Sequence, residues 1–288
     1  MTVADQLVHN ARSLARAVDR LHFGPPVVHV YNPLDYAWAM HEAYLRRFAA
    51  TRKRVVFVGM NPGPFGMMQT GVPFGEVAAV RDWMHLDAPL SRPARQHPKR
   101  PIEGMSCRRS EVSGQRVWGW AAARFGAPEA FFEHALVLNY CPLVFLAESG
   151  RNCTPDKLPA AELQPLQHAC DLHLRRALDL LEPQWIIGIG GYAMKRLAAV
   201  LGAAQRAHDV DAVRSATNAA DANVRAGFPR IGQILHPSPA SPLANRGWAE
   251  QVDAQLDALG VLQVLPRYRR ASARTDPGPP LRPPEEAR

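Results

Sequence analysis

The stretch that decides the fold is VVFVGMNPGPFG, residues 55–66. Its first four residues are apolar and either β-branched or aromatic, which is typical of a strand covered on both faces. The glycines and prolines that follow cannot continue a strand, so we expect it to end near Met60. Open α/β sheets bind ligands at the carboxyl ends of their strands, where the polar Asn61 stands. The stretch therefore predicts a buried strand and the wall of a pocket, with an ordinary strand-to-helix loop as the simpler alternative.

Two further predicted strands lead into polar residues. An apolar run at residues 135–140 ends in Asn139, and the run at 230–235 leads into His236. An asparagine before a proline-containing loop is often only a turn residue, and a single histidine is more often structural than catalytic. The carboxyl ends of parallel strands share one edge of a sheet, however, so Asn61, Asn139 and His236 are expected to converge. Three polar side chains at one edge make a candidate site.

Helical patterns separate these strands and a fourth one at residues 185–190. Strands that alternate with helices predict an α/β fold with a doubly wound, mainly parallel four-stranded sheet flanked by helices. The expected helices cover residues 4–21, 35–49, 76–83, 117–125, 160–181 and 248–259. We expect a single domain over residues 1–265 that contains a polar insertion at 202–229. Residues 266–288 are rich in Arg, Pro and Glu and are expected to form a disordered tail.

The charge favours an anionic partner. The net charge is +8, which points to nucleic acid first and to a membrane surface second. Residues 87–114 are expected to run as a long surface segment, and their cations could follow a phosphate backbone. A solvated loop is an equally good interpretation of that segment. The six cations are Arg92, Arg95, Lys99, Arg100, Arg108 and Arg109.

The cysteines and glycines predict no metal and no cofactor. The four cysteines stand far apart and lack metal-ligand spacing, so buried thiols are favoured over an irregular iron–sulfur cluster. The sequence GIGGYA at 188–193 matches a dinucleotide fingerprint, but it stands outside the first strand–helix unit and no acid ends the next strand. Tight strand–helix packing, or a backbone contact to phosphate, explains it better. The chain shows no signal peptide and no apolar run of eighteen residues, which predicts an intracellular protein.

Two long motifs resemble one known family. GMNPGPFGM at 59–67 with QTGVPFG at 69–75, and HPSP at 236–239 with ANRGW at 244–248, resemble the single-strand-selective monofunctional uracil-DNA glycosylases of the uracil-DNA glycosylase superfamily. Shorter matches are YNP at 31–33, SEVSG at 110–114, NYCPL at 139–143 and SGRN at 149–152. The resemblance extends over roughly residues 27–262.

The resemblance implies a reaction and roles for the site residues. The reaction is hydrolysis of the N-glycosidic bond of uracil and of C5-oxidised uracils such as 5-hydroxymethyluracil, in base-excision repair of DNA. Asn61 would position the attacking water and His236 would stabilise the departing base. Phe74 would stack on the flipped base and Asn139 would read its edge. The other implied pocket residues are Met60, Gly63 and Met67.

DNA, single- or double-stranded, is the implied partner of a monomeric enzyme in the cytoplasm or nucleoid of a bacterium or the nucleus of a eukaryote. Ala240 and Ser241 stand where the family tends to carry a basic and a polar residue that help to invade the helix, so uracil in single strands or mispairs should be preferred. Leu243 is then the only apolar candidate for a wedge. The implied DNA-binding residues are Ser238, Pro239, Ala240, Ser241, Leu243 and Arg246.

The chemistry of the motifs agrees with hydrolysis. No acid stands at position 61 and no lysine stands in the motifs, which favours an oriented water and no Schiff base, so the product is an abasic site. Three alternatives stay open: a glycosylase for deaminated purines such as xanthine and hypoxanthine, a non-catalytic single-strand DNA-binding protein, and a nucleotide-dependent oxidoreductase that rests on residues 188–193 alone.

Overall fold

The computed structural model describes residues 1–202 and 229–265. The strands are β1 His29–Tyr31, β2 Val55–Gly59, β3 Ala135–Asn139, β4 Val144–Leu146, β5 Asn152–Cys153, β6 Trp185–Ile189 and β7 Arg230–Ile234. The helices are α1 Val3–Val18, α2 Pro33–Tyr36, α3 Trp38–Phe48, α4 Met67–Thr70, α5 Val112–Phe125, α6 Pro128–Phe132, α7 Ala160–Leu181, α8 with its described part at 191–202, and α9 Trp248–Ala258.

Four parallel strands form the central sheet in the order β3-β2-β6-β7. Residues Val55, Val56 and Val58 of β2 are fully buried and Phe57 is nearly so, because β2 lies inside the sheet under helices. This arrangement confirms the predicted α/β fold and its four-stranded parallel sheet. Asn61, Asn139 and His236 follow or end β2, β3 and β7, so all three lie at the same edge.

A second, antiparallel sheet of β1, β4 and β5 lies beside the carboxyl end of β3. Sequence analysis did not predict it, because strands of two or three residues are too short to show alternation. Its middle strand β4 starts one residue after Leu143. The small sheet therefore anchors the NYCPL segment next to the candidate site.

Residues 87–114 are only partly a surface segment, so that prediction was wrong in part. His97, Ile102 and Cys107 are buried in it. The Tyr31 hydroxyl donates to the Arg100 carbonyl at 2.8 Å and accepts from the His97 amide at 2.8 Å, which ties the segment to β1. The following helix also starts earlier than predicted, since α5 begins at Val112.

The predicted helix at 35–49 is two helices, α2 and α3, which meet at Ala37. Asn32 caps α2 and Pro33 is its first residue, so a separate turn begins there. All four cysteines are free and buried, as predicted. Within the described ranges, no helix is long and apolar enough to cross a membrane. Nearly all of the predicted insertion and the whole predicted tail lie outside the described residues.

Candidate active site

The loop after β2 carries Asn61, half-buried at the edge of the sheet. Its Nδ2 donates to the Leu143 carbonyl at 3.2 Å, just before β4. With the amide nitrogen engaged, Oδ1 is the atom left to accept a hydrogen bond from water. The preceding residue, Met60, is bound through its carbonyl by the Cys141 amide at 2.9 Å. Two contacts to the NYCPL segment therefore hold this part of the loop, one through the Met60 backbone and one through the Asn61 side chain.

Phe74 and Asn139 meet over Gly59, the last residue of β2. A methyl group on Gly59 would lie 2.5 Å from Asn139 Oδ1 and 2.5 Å from Phe74 Cε2, so only glycine leaves room for both side chains. Asn139 Nδ2 donates to the Met67 sulfur at 3.2 Å. Its Oδ1 is buried and has no hydrogen-bond partner in the described part of the chain. A buried unpaired acceptor is costly, and a ligand with an N–H group would satisfy it.

Phe74 has an unusual backbone conformation with φ of 53°, in the left-handed region that non-glycine residues rarely occupy. Its carbonyl accepts hydrogen bonds from Trp118 Nε1 at 3.0 Å and from the Glu76 amide at 2.7 Å. Such strain persists only where neighbouring contacts enforce it, and it concentrates at ligand sites. The Phe74 side chain is half-buried, so part of it remains exposed to solvent.

His236 follows β7 and has a defined tautomer. The Ser238 amide donates to His236 Nδ1 at 3.1 Å, so Nδ1 is the acceptor and the proton of the neutral ring lies on Nε2. Burial lowers the pKa of His236 below its ordinary value. At neutral pH the ring is therefore a neutral imidazole that donates from Nε2.

Gly190, which follows β6 and has a φ of +87°, makes room for that imidazole. A methyl group on Gly190 would lie 2.9 Å from Cβ and 3.0 Å from Cδ2 of His236. A methyl group on Gly188 would lie 2.7 Å from the Met194 backbone nitrogen, which confirms the predicted tight packing of strand on helix. Gly188 and Gly190 of the apparent dinucleotide fingerprint thus have packing roles, and nothing in this geometry supports an oxidoreductase.

The segment after His236 connects to α9 and holds the six predicted DNA-binding residues. Leu243 is 56% exposed, and Pro239, Ala240 and Arg246 are also exposed, whereas Ser238 and Ser241 are partly buried. The Ser238 hydroxyl accepts from the Ala240 amide at 3.1 Å. A short ordered turn therefore presents Ala240 and Leu243 to solvent beside His236.

Residues 46–256 match the uracil DNA glycosylase superfamily. The chain belongs to this superfamily. It is 41% identical over 264 residues to the single-strand selective monofunctional uracil DNA glycosylases of Bos taurus and Mus musculus, an overlap that covers 92% of this chain and 89% and 87% of theirs. The crystal structure of wild-type Pedobacter heparinus SMUG2 is similar in fold, with a TM-score of 0.59 at 21% identity over 91% of this chain and 99% of that one.

The superfamily match confirms the resemblance found in the motifs. It confirms an enzyme that is a uracil-DNA glycosylase, a hydrolase of N-glycosyl bonds that acts in DNA repair and binds uracil-containing DNA. The described residues contain no group of three or more His, Cys, Asp and Glu side chains arranged to hold a metal ion.

Several residues of this glycosylase site were not predicted from the sequence. Glu111, Arg116 and Trp118, at the start of α5, contact the loops that carry Asn61, His236 and Phe74. The SEVSG motif pointed to this helix but assigned no role to any of its residues.

Two arginines lie against Phe65, in the same loop as Asn61. The guanidinium carbons of Arg109 and Arg100 stand 4.3 and 5.3 Å from the Phe65 ring centroid, within cation–π range. Neither forms an ion pair with an acid among the residues that the structure describes. Two of the six cations of residues 87–114 are thus placed beside the loop that carries Asn61.

Proposed function

We propose that this uracil-DNA glycosylase removes uracil and C5-oxidised uracils such as 5-hydroxymethyluracil by hydrolysis without a covalent enzyme intermediate, with Asn61 and His236 as its catalytic residues. The observation that carries this proposal is the unpartnered Asn139 Oδ1 beside the Phe74 ring. That pair offers a stacking surface and a hydrogen-bond acceptor in the arrangement that a flipped pyrimidine requires.

Recognition of the base follows from those two side chains. The flipped uracil stacks on Phe74, and its N3–H donates to Asn139 Oδ1. Asn139 Nδ2 carries two hydrogens, so one can donate to the uracil O4 while the other keeps its hydrogen bond to the Met67 sulfur. Cytosine presents an acceptor at N3 and an amino group at C4, so it would leave both amide groups mismatched. A buried polar mismatch of this kind costs about 1–3 kcal/mol per group.

The chemical step breaks the C1′–N1 bond, and the electron pair of that bond leaves with uracil. Negative charge then develops on the uracil O2, where the Nε2–H of neutral His236 donates a hydrogen bond. Donors of this type accelerate reactions by about 10²–10³-fold. Positive charge develops on the sugar, and water held by Asn61 Oδ1 adds to C1′. The water proton goes to solvent or to the released uracil anion, and the products are free base and an abasic site.

Tolerance of a substituent at C5 is proposed for the wall formed by Gly63 and Met67. Gly63 presents backbone to the base in this proposal, because the space that its side chain would take is filled by the Glu111 carboxylate. A hydroxymethyl group on the base therefore faces backbone rather than a bulky side chain. Met67 is flexible and polarisable, so it adapts to substituents of different size.

We also propose that the enzyme is monomeric and intracellular, with one catalytic domain at residues 1–265. Its preferred substrate in this proposal is single-stranded or mispaired DNA. The short side chains of Ala240 and Ser241 fill the space left by a flipped base poorly. The cost of unstacking, a few kcal/mol in duplex, largely vanishes in single strands. The relatives from Bos taurus and Mus musculus are themselves named single-strand selective.

The test uses a 5′-labelled single-stranded oligonucleotide with one uracil, incubated in EDTA without added nucleotide and then treated with alkali. We expect cleavage at the uracil position only after alkali, and the same with 5-hydroxymethyluracil. The His236→Ala variant is the matched control for contaminating activity. Binding without any alkali-labile site would support the non-catalytic alternative, and cleavage at hypoxanthine but not at uracil would support the purine alternative.

A further inference from the structure

The first two turns of α5 contact three separate segments of the active site. These segments are the Asn61 loop, the Phe74 turn and the loop after His236. The first two lie close together in sequence, the third lies more than 160 residues further on, and α5 contacts all three. The contacts are made by Glu111, Gly114, Arg116 and Trp118.

Glu111, which precedes α5 as its N-cap, binds the Asn61 loop. Its carboxylate accepts a hydrogen bond from the Phe65 amide at 3.1 Å. Burial raises the pKa of this carboxyl, and hydrogen bonds from the Phe65 and Gly66 amides partly offset that effect. A methyl group on Gly66 would lie 3.0 Å from Glu111 Cγ, so the glycine lets the carboxylate approach the backbone. In the described chain no cation pairs with Glu111, and its visible partner is the loop itself.

Arg116, one turn further along α5, binds the loop after His236. Its Nη1 donates to the Pro237 carbonyl at 2.9 Å and to the Ser238 carbonyl at 3.3 Å. Its Nη2 donates to Asn245 Oδ1 at 2.8 Å, and Asn245 Nδ2 donates to the Pro239 carbonyl at 2.9 Å. The guanidinium thus engages the same turn whose Ser238 amide sets the tautomer of His236.

The remaining contacts hold the Phe74 turn. Trp118 Nε1 donates to the Phe74 carbonyl, and Gly114 lies so close to that carbonyl that any side chain at position 114 would overlap it. These contacts support the left-handed backbone of Phe74. The same helix therefore supports the stacking ring and both loops that carry the catalytic side chains.

We propose that α5 acts as a splint, with Glu111 as the positioning residue for Asn61 and Arg116 as the positioning residue for His236. Neither residue is assigned to contact the base or the sugar. Both act by holding backbone that would otherwise be free to shift. This proposal rests on the proposed function, since it assigns supporting roles in the same reaction.

The expected effect is on the chemical step. A displacement of about 1 Å in a reacting group can cost about a hundredfold in rate. Arg116→Ala removes three hydrogen bonds from the His236 loop, so we expect single-turnover uracil release to fall about a hundredfold. The dissociation constant for uracil-containing single strands should stay within about twofold. In Arg116→Lys the side chain reaches fewer acceptors, so the rate of uracil release should lie between the rates of the parent and of Arg116→Ala.

Gln115→Ala is the matched control, because Gln115 is exposed and stands next to Arg116 on the same helix. Its release rate should equal that of the parent. A second readout is the ¹⁵N signal of His236, which should show Nδ1 without a proton in the parent and in Gln115→Ala, and a mixture of tautomers in Arg116→Ala. A merely structural role would lower the thermal midpoint without changing that signal.

A double-mutant comparison tests the two assignments separately. Glu111→Ala should cost little in an Asn61→Ala background, and Arg116→Ala should cost little in a His236→Ala background, because each supports a residue already removed. In the crossed pair, Asn61→Ala with Arg116→Ala, the two fold-losses in release rate should multiply, because the two residues support different groups. Glu111→Gln keeps one acceptor oxygen and should retain more activity than Glu111→Ala.

Three results would overturn the splint. One is release by folded Arg116→Ala within twofold of Gln115→Ala. Another is a loss that appears entirely in DNA affinity, which would make Arg116 a phosphate contact. The third is an unchanged His236 tautomer signal. A parent enzyme inactive on uracil would instead refute the proposed function, and the tautomer signal would still decide the role of Arg116.

Discussion

Replacing Gly190 by alanine should displace His236 and nearly abolish uracil release. The new methyl would lie 2.9 Å from Cβ and 3.0 Å from Cδ2 of His236, whereas non-bonded carbons settle at about 3.5–4.0 Å. The imidazole must therefore move by roughly 0.5–1 Å, which is enough to cost about a hundredfold in rate. The φ of +87° adds about 1–2 kcal/mol of strain for alanine, and overpacking adds about 1–3 kcal/mol.

The assay is single-turnover release from a single-stranded uracil oligonucleotide at saturating enzyme, together with urea unfolding. Gly191→Ala is the matched control, since Gly191 is exposed and nothing lies within 4 Å of a methyl group there. We expect Gly191→Ala to behave as the parent and Gly190→Ala to lose both activity and about 2–5 kcal/mol of stability. Parental release by folded Gly190→Ala would refute the placement of His236 against this glycine.

Three further predictions concern pH, salt and strand preference. Burial lowers the pKa of His236, so the rate of single-turnover release should be constant above about pH 6.5 and should fall as the pH drops through the lowered pKa. The stability that the neutral ring contributes to the fold should be lost over the same pH range. A release rate that rises on acidification would contradict a neutral donor. Arg109→Ala should leave release at saturating DNA unchanged but reduce the salt slope of single-strand binding by about 0.7, the share of one phosphate contact, and an unchanged slope would remove Arg109 from the DNA path. Leu243→Ala should slow release from duplex but not from single strands, and Ala240→Arg should speed it on duplex more than on single strands; equal activity of the parent on both, with no loss in Leu243→Ala, would place the wedge elsewhere.

The central strand and the edge of the sheet could be predicted because their physical signals are local. An apolar, β-branched run such as residues 55–58 is typical of a strand covered on both faces, and the glycines and prolines behind it end that strand. Once three parallel strands are recognised, their carboxyl ends must share an edge, which places Asn61, Asn139 and His236 together. The structure bears out that placement, while the role of each side chain stays a prediction.

The supports of the site could not be predicted because they join distant residues through backbone groups. Glu111 binds an amide 46 residues away, and Arg116 binds a carbonyl 121 residues away. A side chain that binds backbone leaves no periodic pattern and requires no particular partner residue. The left-handed φ of Phe74 has no local sequence signal either, and the Phe74 carbonyl is bound by Trp118, 44 residues away.

The glycines at 188 and 190 show the opposite case, a clear local pattern that has more than one possible physical cause. Glycine is needed wherever backbone or a side chain approaches closely, and a dinucleotide phosphate is only one such neighbour. Here the neighbours are the Met194 backbone and the His236 ring. The position of the motif, late in the chain and without the expected acid, was the sequence signal that separated these causes.

The central claim is that Asn61 and His236 act on the reaction rather than on DNA binding. The direct test is single-turnover uracil release at saturating single-stranded DNA by Asn61→Ala and His236→Ala, with dissociation constants measured on the same oligonucleotide. We predict that each variant releases uracil about 10²–10³-fold more slowly than the parent while its DNA affinity stays within a few-fold. Near-parental release by either variant would contradict the mechanism and remove that residue from it.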